Sequence, residues 1–98
     1  MPKLPAGPED ANSVSRQLAG YGLTHLRARK YGQLVILESG PEDDPTPHAR
    51  LRRDTVHLWT LEMATHTGRW EKTGFRDLRN KLVDLLVTTF PWMVAPRE

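Results

Sequence analysis

The residues of this sequence with the clearest potential for chemistry are arginines that occupy alternate positions in two short segments. Arg27, Arg29 and Tyr31 alternate in the first segment, and Arg50 and Arg52 alternate in the second. Successive side chains of a β-strand point to opposite faces, so each set would share one face of a strand. A guanidinium is a planar fork of N–H donors that matches phosphate or carboxylate. The spacing therefore predicts a basic sheet face, and we take these five residues as candidate binding residues.

Two classes of partner fit such a face. A sheet with guanidinium groups and an aromatic ring can follow a phosphate backbone and stack a base. The RNA-recognition signature is absent, however, because Lys30-Tyr31-Gly32 has a different residue order. We therefore expect a non-catalytic interaction module, an accessory or regulatory subunit that docks on a larger protein partner of acidic or polar character. A nucleic-acid-binding domain is the alternative, and self-association through a free sheet edge stays open.

Trp92 is the sixth candidate binding residue. It follows the helix-stopping Pro91 in a short apolar segment that ends at Val94. The segment either folds back over the core or projects towards a partner. We expect Trp92 to fold back, since large exposed apolar patches are uncommon on soluble monomers.

Metal and cofactor chemistry is not expected. The four histidines, His25, His48, His57 and His66, show neither His-x-x-x-His nor His-Glu-x-x-His spacing, and the chain has no cysteine. The absence of cysteine also excludes disulfides and a thiolate nucleophile.

Enzymatic chemistry is not expected either. There is no Gly-x-Ser-x-Gly elbow and no phosphate-cradling glycine loop. The densest carboxylates, Glu42, Asp43 and Asp44, lie in a proline-rich loop, which is a poor platform for a preorganised catalytic pair. Four acids and no base lie between Glu38 and Pro45, so this loop is also a candidate to fold over the basic face.

The elements that must position these residues follow from hydrophobic periodicity. Ser13 is a helix N-cap, and Asp77 is the N-cap of a leucine-rich helix that contains Leu78 and Leu82 and stops at Pro91. Alternating or β-branched runs predict strands over residues 24–31, 33–39, 49–53, 56–63 and 69–73. The predicted fold class is α+β: an antiparallel β-meander with a short N-terminal helix and a C-terminal amphipathic helix packed on one face. On this reading, replacing both Arg27 and Arg50 by alanine leaves folding intact, because exposed strand charges contribute little to stability.

A chain of 98 residues and 11.2 kDa accommodates one domain. We predict a flexible proline-rich arm over residues 1–12, a single α+β domain over 13–94 with an acidic loop at 40–47, and a tail over 95–98. No apolar run approaches the roughly 18 residues of a membrane span, and no signal peptide is evident, so a soluble cytoplasmic protein without membrane contact is expected.

Part of the chain resembles a known pattern. Ala49-Arg50-Leu51-Arg52, Trp59-Thr60-Leu61 and Gly68-Arg69-Trp70, followed by Asp77-Leu78 at the start of a leucine-rich helix, are similar to a family of small bacterial domains of unknown function. The similarity covers roughly residues 48–86, and Arg53 stands where that pattern has an aromatic residue. The resemblance implies a bacterial origin and a stand-alone or accessory domain, and it implies no activity.

Overall fold

A computed structural model describes residues 4–96, which form a five-stranded antiparallel sheet with three helices. The strands pair in chain order, so the sheet is a meander with β1 and β5 at its edges. The elements are α1 (Pro8–Gly20), β1 (Arg27–Tyr31), β2 (Leu34–Ser39), β3 (Thr46–Arg53), β4 (Trp59–Ala64), β5 (Trp70–Asp77), α2 (Arg79–Thr89) and α3 (Pro91–Val94). The predicted α+β class with its antiparallel meander is confirmed.

The helices cover one face of the sheet and form one hydrophobic core with it. Val14 and Leu18 of α1 and Leu82 and Leu86 of α2 are fully buried, as the 3.6-residue period requires. They pack with the inward side chains of the central strands, which are Val35, Leu37, Ala49, Leu51, Trp59 and Leu61. No helix of the described part lies on the opposite face of the sheet, and this face holds most of the candidate residues.

The first helix begins at Pro8, which corrects the prediction of a flexible arm up to residue 12. Proline is favoured at the first helical position, where its missing N–H would have no partner. The Asp10 carboxylate accepts a hydrogen bond from the Gly7 N–H at 2.7 Å, which holds the first turn closed. Ala6 is buried and its N–H donates to the Gly32 carbonyl at 2.9 Å. Pro8 therefore starts a helix, and residues 1–3 of the predicted arm lie outside the described part.

The C-terminal segment is also more regular than the sequence suggests. Pro91 stops α2 but opens the one-turn helix α3, whose Met93 and Val94 are buried in the core. Leu78, expected on the apolar stripe of α2, is 42% exposed because it is the N-cap residue of the helix and not part of its first turn. Residues 97–98 of the predicted tail lie outside the described part.

Four strand boundaries differ from the predictions by three or more residues. β1 begins at Arg27 and not at residue 24, and β3 begins at Thr46, inside the predicted acidic loop 40–47. The other two differences have local reasons. β4 begins only at Trp59, because the N–H groups of Asp54 and Thr55 both donate to the Leu58 carbonyl and form a turn. β5 runs on to Asp77 through an irregularity in its pairing with β4, where Gly74 adopts a φ of +83° that favours glycine. Within residues 4–96, no helix is both long enough and apolar enough to cross a membrane.

Candidate binding surfaces

The pairing register places the candidate arginines on the face of the sheet opposite the helices, here called the open face. Arg29 lies opposite Ile36, and Ile36 lies opposite Arg50, so these three residues form one row across β1, β2 and β3. A second row is formed by Tyr31, Leu34 and Arg52, and Arg27 lies opposite Glu38. The alternation seen in the sequence therefore assigns the arginines to the correct face. It does not reveal the two glutamate side chains that lie between them.

Two arginines of β1 bind one buried carboxylate, an arrangement here called a clamp. Glu38 is only 2% exposed, and its two oxygens accept hydrogen bonds from Arg27 Nη2 at 3.1 Å and from Arg29 Nε at 2.6 Å. Glu38 lies directly opposite Arg27 and diagonally to Arg29, which are the two cross-strand positions within reach of a long side chain.

The second pair repeats this arrangement two strands away. Glu62, also 2% exposed, accepts hydrogen bonds from Arg50 Nε at 2.6 Å and from Arg52 Nε at 2.9 Å. Burial alone would raise the pKa of Glu62, but the hydrogen bonds from Arg52 and Arg50 and their positive charges outweigh it and hold the pKa below its ordinary 4.5. The carboxylate is therefore charged at neutral pH.

These clamps change the electrostatics expected of the open face. Two buried glutamates compensate half of the charge of the four arginines, so the face is less basic than the arginine spacing suggests. Sequence reasoning missed both acids as members of the site. The signal was present, because Glu38 shares the parity of Leu34 and Ile36 in β2 and therefore points to the open face.

The aromatic side chains of the open face lie next to the clamps. The Trp70 ring lies under the Arg50 guanidinium, with 4.3 Å from Cζ to the ring centroid, so it is partly covered. Tyr31 is 65% exposed at the edge of the sheet, and Arg29 Cζ lies 5.9 Å from its ring centroid. Among residues 4–96, only Tyr31 thus combines an exposed ring with the arginine rows.

The acidic loop does not neutralise the arginines with its carboxylates. Arg27 donates from Nη1 to the Gly40 carbonyl at 2.5 Å and from Nη2 to the Pro41 carbonyl at 3.3 Å, so the contact is with the loop backbone. The loop acids are exposed and form no ion pair with any residue of the described range; they are Glu42, Asp43 and Asp44.

A second surface lies at the C-terminal end of the domain. Trp92 is 64% exposed, and its ring lies 5.7 Å from the Phe90 ring, which lies 6.0 Å from the ring of Phe75 on β5. These three residues are called the aromatic cluster. The expectation that Trp92 folds back is wrong: its neighbours Met93 and Val94 fill the core, and one helical turn directs Trp92 the other way.

Two histidines fix the segment that carries Trp92. His48, fully buried, donates from Nδ1 to the Met93 carbonyl at 2.7 Å, and its Nε2 lies 2.7 Å from the Ser39 hydroxyl. His25 Nε2 donates to the Val94 carbonyl at 2.7 Å. A carbonyl only accepts hydrogen bonds, so the two ring nitrogens that face carbonyls, His48 Nδ1 and His25 Nε2, each carry a proton. Sequence reasoning examined these histidines only as metal ligands; over residues 4–96, no group of three or more metal-binding side chains converges.

Comparison of the chain with protein-family models, with curated proteins and with solved structures finds no match. The resemblance to small bacterial domains therefore stays a prediction, and the geometry described above is the basis for any functional conclusion.

Proposed function

We propose that this protein is a non-catalytic interaction module, an accessory or regulatory subunit that docks on a larger protein through its aromatic cluster. The observation that carries the proposal is the fixed exposure of Trp92. A large indole ring is presented to solvent by a segment whose next two residues are buried and whose carbonyls are held by His25 and His48.

This arrangement suits a protein interface for energetic reasons. Tryptophan and other aromatic residues dominate the binding energy of protein interfaces, since they bury a large apolar area. A side chain on a fixed backbone loses less conformational entropy on binding than one on a mobile tail. Edge-to-face packing of Trp92 against Phe90 further restricts the ring before a partner arrives.

The nucleic-acid alternative has weaker support from the same geometry. Glu38 and Glu62 offset half of the arginine charge, and each occupies the Nε edge of at least one guanidinium. Trp70 is partly covered by Arg50, so the centre of the open face offers no free ring for stacking a base. Binding to a protein partner needs neither a strongly basic face nor a free ring at its centre.

Site-specific photo-crosslinking tests the proposal. Trp92 is replaced by a photoreactive phenylalanine analogue in the native host, the crosslinked protein is identified, and its affinity is then measured with purified components. Trp92→Ala should weaken binding by about thirtyfold, the effect of losing a central interface anchor. The matched control is Val56→Ala, which truncates an exposed apolar side chain elsewhere and should change affinity less than about twofold.

Equal effects of Trp92→Ala and Val56→Ala on a purified partner would contradict the proposal. The crosslink could instead join two copies of this chain, and sedimentation could show a concentration-dependent dimer that Trp92→Ala abolishes. These results would mean that Trp92 mediates self-association and does not bind a larger partner.

A further inference from the structure

We propose that two histidines make the display of Trp92 dependent on pH. His48 and His25 hold α3 against the core near neutral pH, and proton uptake below about pH 6.5 releases it. This inference rests on the proposed docking role of Trp92 and adds a regulation to it, because acidification withdraws the fixed indole ring from a partner.

The position of His48 in the core results from an irregularity in β3. In the pairing of β2 with β3, the partner residues step from Ala49 to Pro47, so His48 is an extra residue between them. A β-bulge of this kind redirects a side chain. His48 is fully buried, and its two ring nitrogens reach the Ser39 hydroxyl and the Met93 carbonyl, each at 2.7 Å. The bulge therefore connects the sheet to α3 through an ionisable ring.

This buried ring fits its position in the neutral form. Nδ1 carries the proton that is donated to the Met93 carbonyl, and Nε2 accepts a hydrogen bond from the Ser39 hydroxyl. The hydroxyl can also accept a hydrogen bond, so hydrogen bonding alone does not prevent protonation. Burial does, because a charged imidazole in a fully buried position loses its hydration, and that loss outweighs one exchanged hydrogen bond.

The ionisable group that faces His48 is a second histidine. The rings of His25 and His48 meet edge to face with 6.3 Å between their centroids. His25 is only half-buried, so its ring can carry a charge in place, and that charge opposes a second one on His48. The carboxylates of the two flanking strands, Glu38 and Glu62, point to the open face, where each is bound by two arginines. Helix α3 itself has no ionisable side chain.

Helix α3 depends on these contacts for its position. It consists of four residues, and a single helical turn has no stability of its own. It is held by the burial of Met93 and Val94 and by the hydrogen bonds of the two histidines to their carbonyls, at 2.7 Å each. Local opening of α3 therefore frees both rings while the sheet and α2 stay folded.

The expected size of the effect follows from proton linkage. An accessible imidazole takes up a proton near pH 6.5, whereas the buried His48 ring stays neutral as long as α3 is in place. Protonation of His48 therefore favours the open form by about tenfold for each pH unit below that value, which amounts to about thirtyfold at about pH 5.

Amide hydrogen exchange followed by NMR tests the proposal. The Met93 N–H donates to the Phe90 carbonyl at 2.9 Å, so its protection factor measures the opening of α3. This factor should fall about thirtyfold between about pH 7.5 and about pH 5. The Leu82 N–H, which donates to the Leu78 carbonyl at 3.0 Å in α2, should change less than about threefold and is the internal reference.

Two variants separate His48 from other groups that titrate. His48→Asn keeps an N–H donor for the Met93 carbonyl but does not titrate, so the pH dependence of Met93 protection should disappear. His66→Asn is the matched control, because His66 is exposed and lines, together with Glu71, a groove that also touches Met93. This variant should keep the thirtyfold fall of the wild type.

Nitrogen chemical shifts of the His48 ring in the wild type give a measurement that does not depend on a variant. They should show a neutral ring with its proton on Nδ1 at about pH 7.5. A charged ring at that pH, a Met93 protection factor that does not fall with pH, or an equal fall in His48→Asn would overturn the proposal. None of these measurements needs a partner. Failure of the crosslinking experiment at neutral pH would therefore remove the docking role and leave the pH-dependent release of α3 as a property of the fold.

Discussion

Removal of the charge from Glu62 is expected to destabilise the fold in a pH-dependent way. Glu62→Gln keeps the shape of the side chain but leaves Arg50 and Arg52 without the carboxylate that pairs with both at 2.6 and 2.9 Å. Loss of one partner from a fully buried ion pair costs about 3–5 kcal/mol. The arginine side chains are 17% and 34% exposed, so water compensates part of this loss, and we expect about 2–3 kcal/mol near pH 7.

The pH dependence follows from the direction of the pKa shift. The pKa of Glu62 is lower in the folded chain than its ordinary 4.5, so the carboxylate contributes stability above that pH. This contribution is lost as the pH falls through the folded-state pKa. The difference in unfolding free energy between the wild type and Glu62→Gln should therefore shrink between about pH 7 and about pH 3.

Urea denaturation followed by circular dichroism at the two pH values measures this difference. Glu71→Gln is the matched control, because Glu71 is an exposed glutamate on β5 without an ion pair in the described part of the chain. It should change the free energy of unfolding by less than about 0.5 kcal/mol. Equal costs for Glu62→Gln and Glu71→Gln, or a cost for Glu62→Gln that does not depend on pH, would refute the reasoning about the clamp.

Three further perturbations follow from the same geometry. The double variant Arg27→Ala with Arg50→Ala should lower the free energy of unfolding by about 2–4 kcal/mol in thermal denaturation, because it deprives two buried glutamates of one partner each. This replaces the sequence-based expectation that the double variant keeps its stability. An unchanged melting temperature would support the sequence-based expectation instead. Leu82→Ala should lower the free energy of unfolding by about 2–5 kcal/mol in urea denaturation because Leu82 is buried. Leu78→Ala, at the exposed N-cap, should lower it by less than about 1 kcal/mol. Similar losses for the two variants would contradict the placement of the helix. Binding to duplex DNA should show a log–log salt slope much shallower than the value of about −3 to −4 for four phosphate contacts, and a slope in that range, measured by fluorescence anisotropy, would favour the nucleic-acid alternative.

The sheet and its faces could be predicted from the sequence because side-chain direction in a strand depends only on parity. The alternation of Arg27 with Arg29 and of Arg50 with Arg52 is sufficient to place all four on one face. The clamps could not be derived in the same way. Glu38 belongs to a largely apolar run, and its contact with Arg29 depends on the register between β1 and β2, which the turn at residues 32–33 determines.

The helix ends and the surface role of Trp92 were less predictable for another reason. A proline can stop one helix and start the next, and the choice at Pro8 and Pro91 depends on contacts from distant residues. At Pro91 the deciding contacts come from His25 and His48, more than forty positions away in the sequence. No local pattern marks these histidines as anchors of α3.

The most direct test of the central claim is fluorine NMR of the chain labelled with fluorotryptophan, with the Trp92 resonance assigned by its loss in Trp92→Phe. We expect this resonance to show a large solvent isotope shift, as an exposed ring does, together with the linewidth of the whole folded domain, because the backbone of α3 is fixed. A small isotope shift would mean that the ring is buried. A line much narrower than that of the buried Trp59 would mean that the segment is mobile, and either result would contradict a preformed docking site.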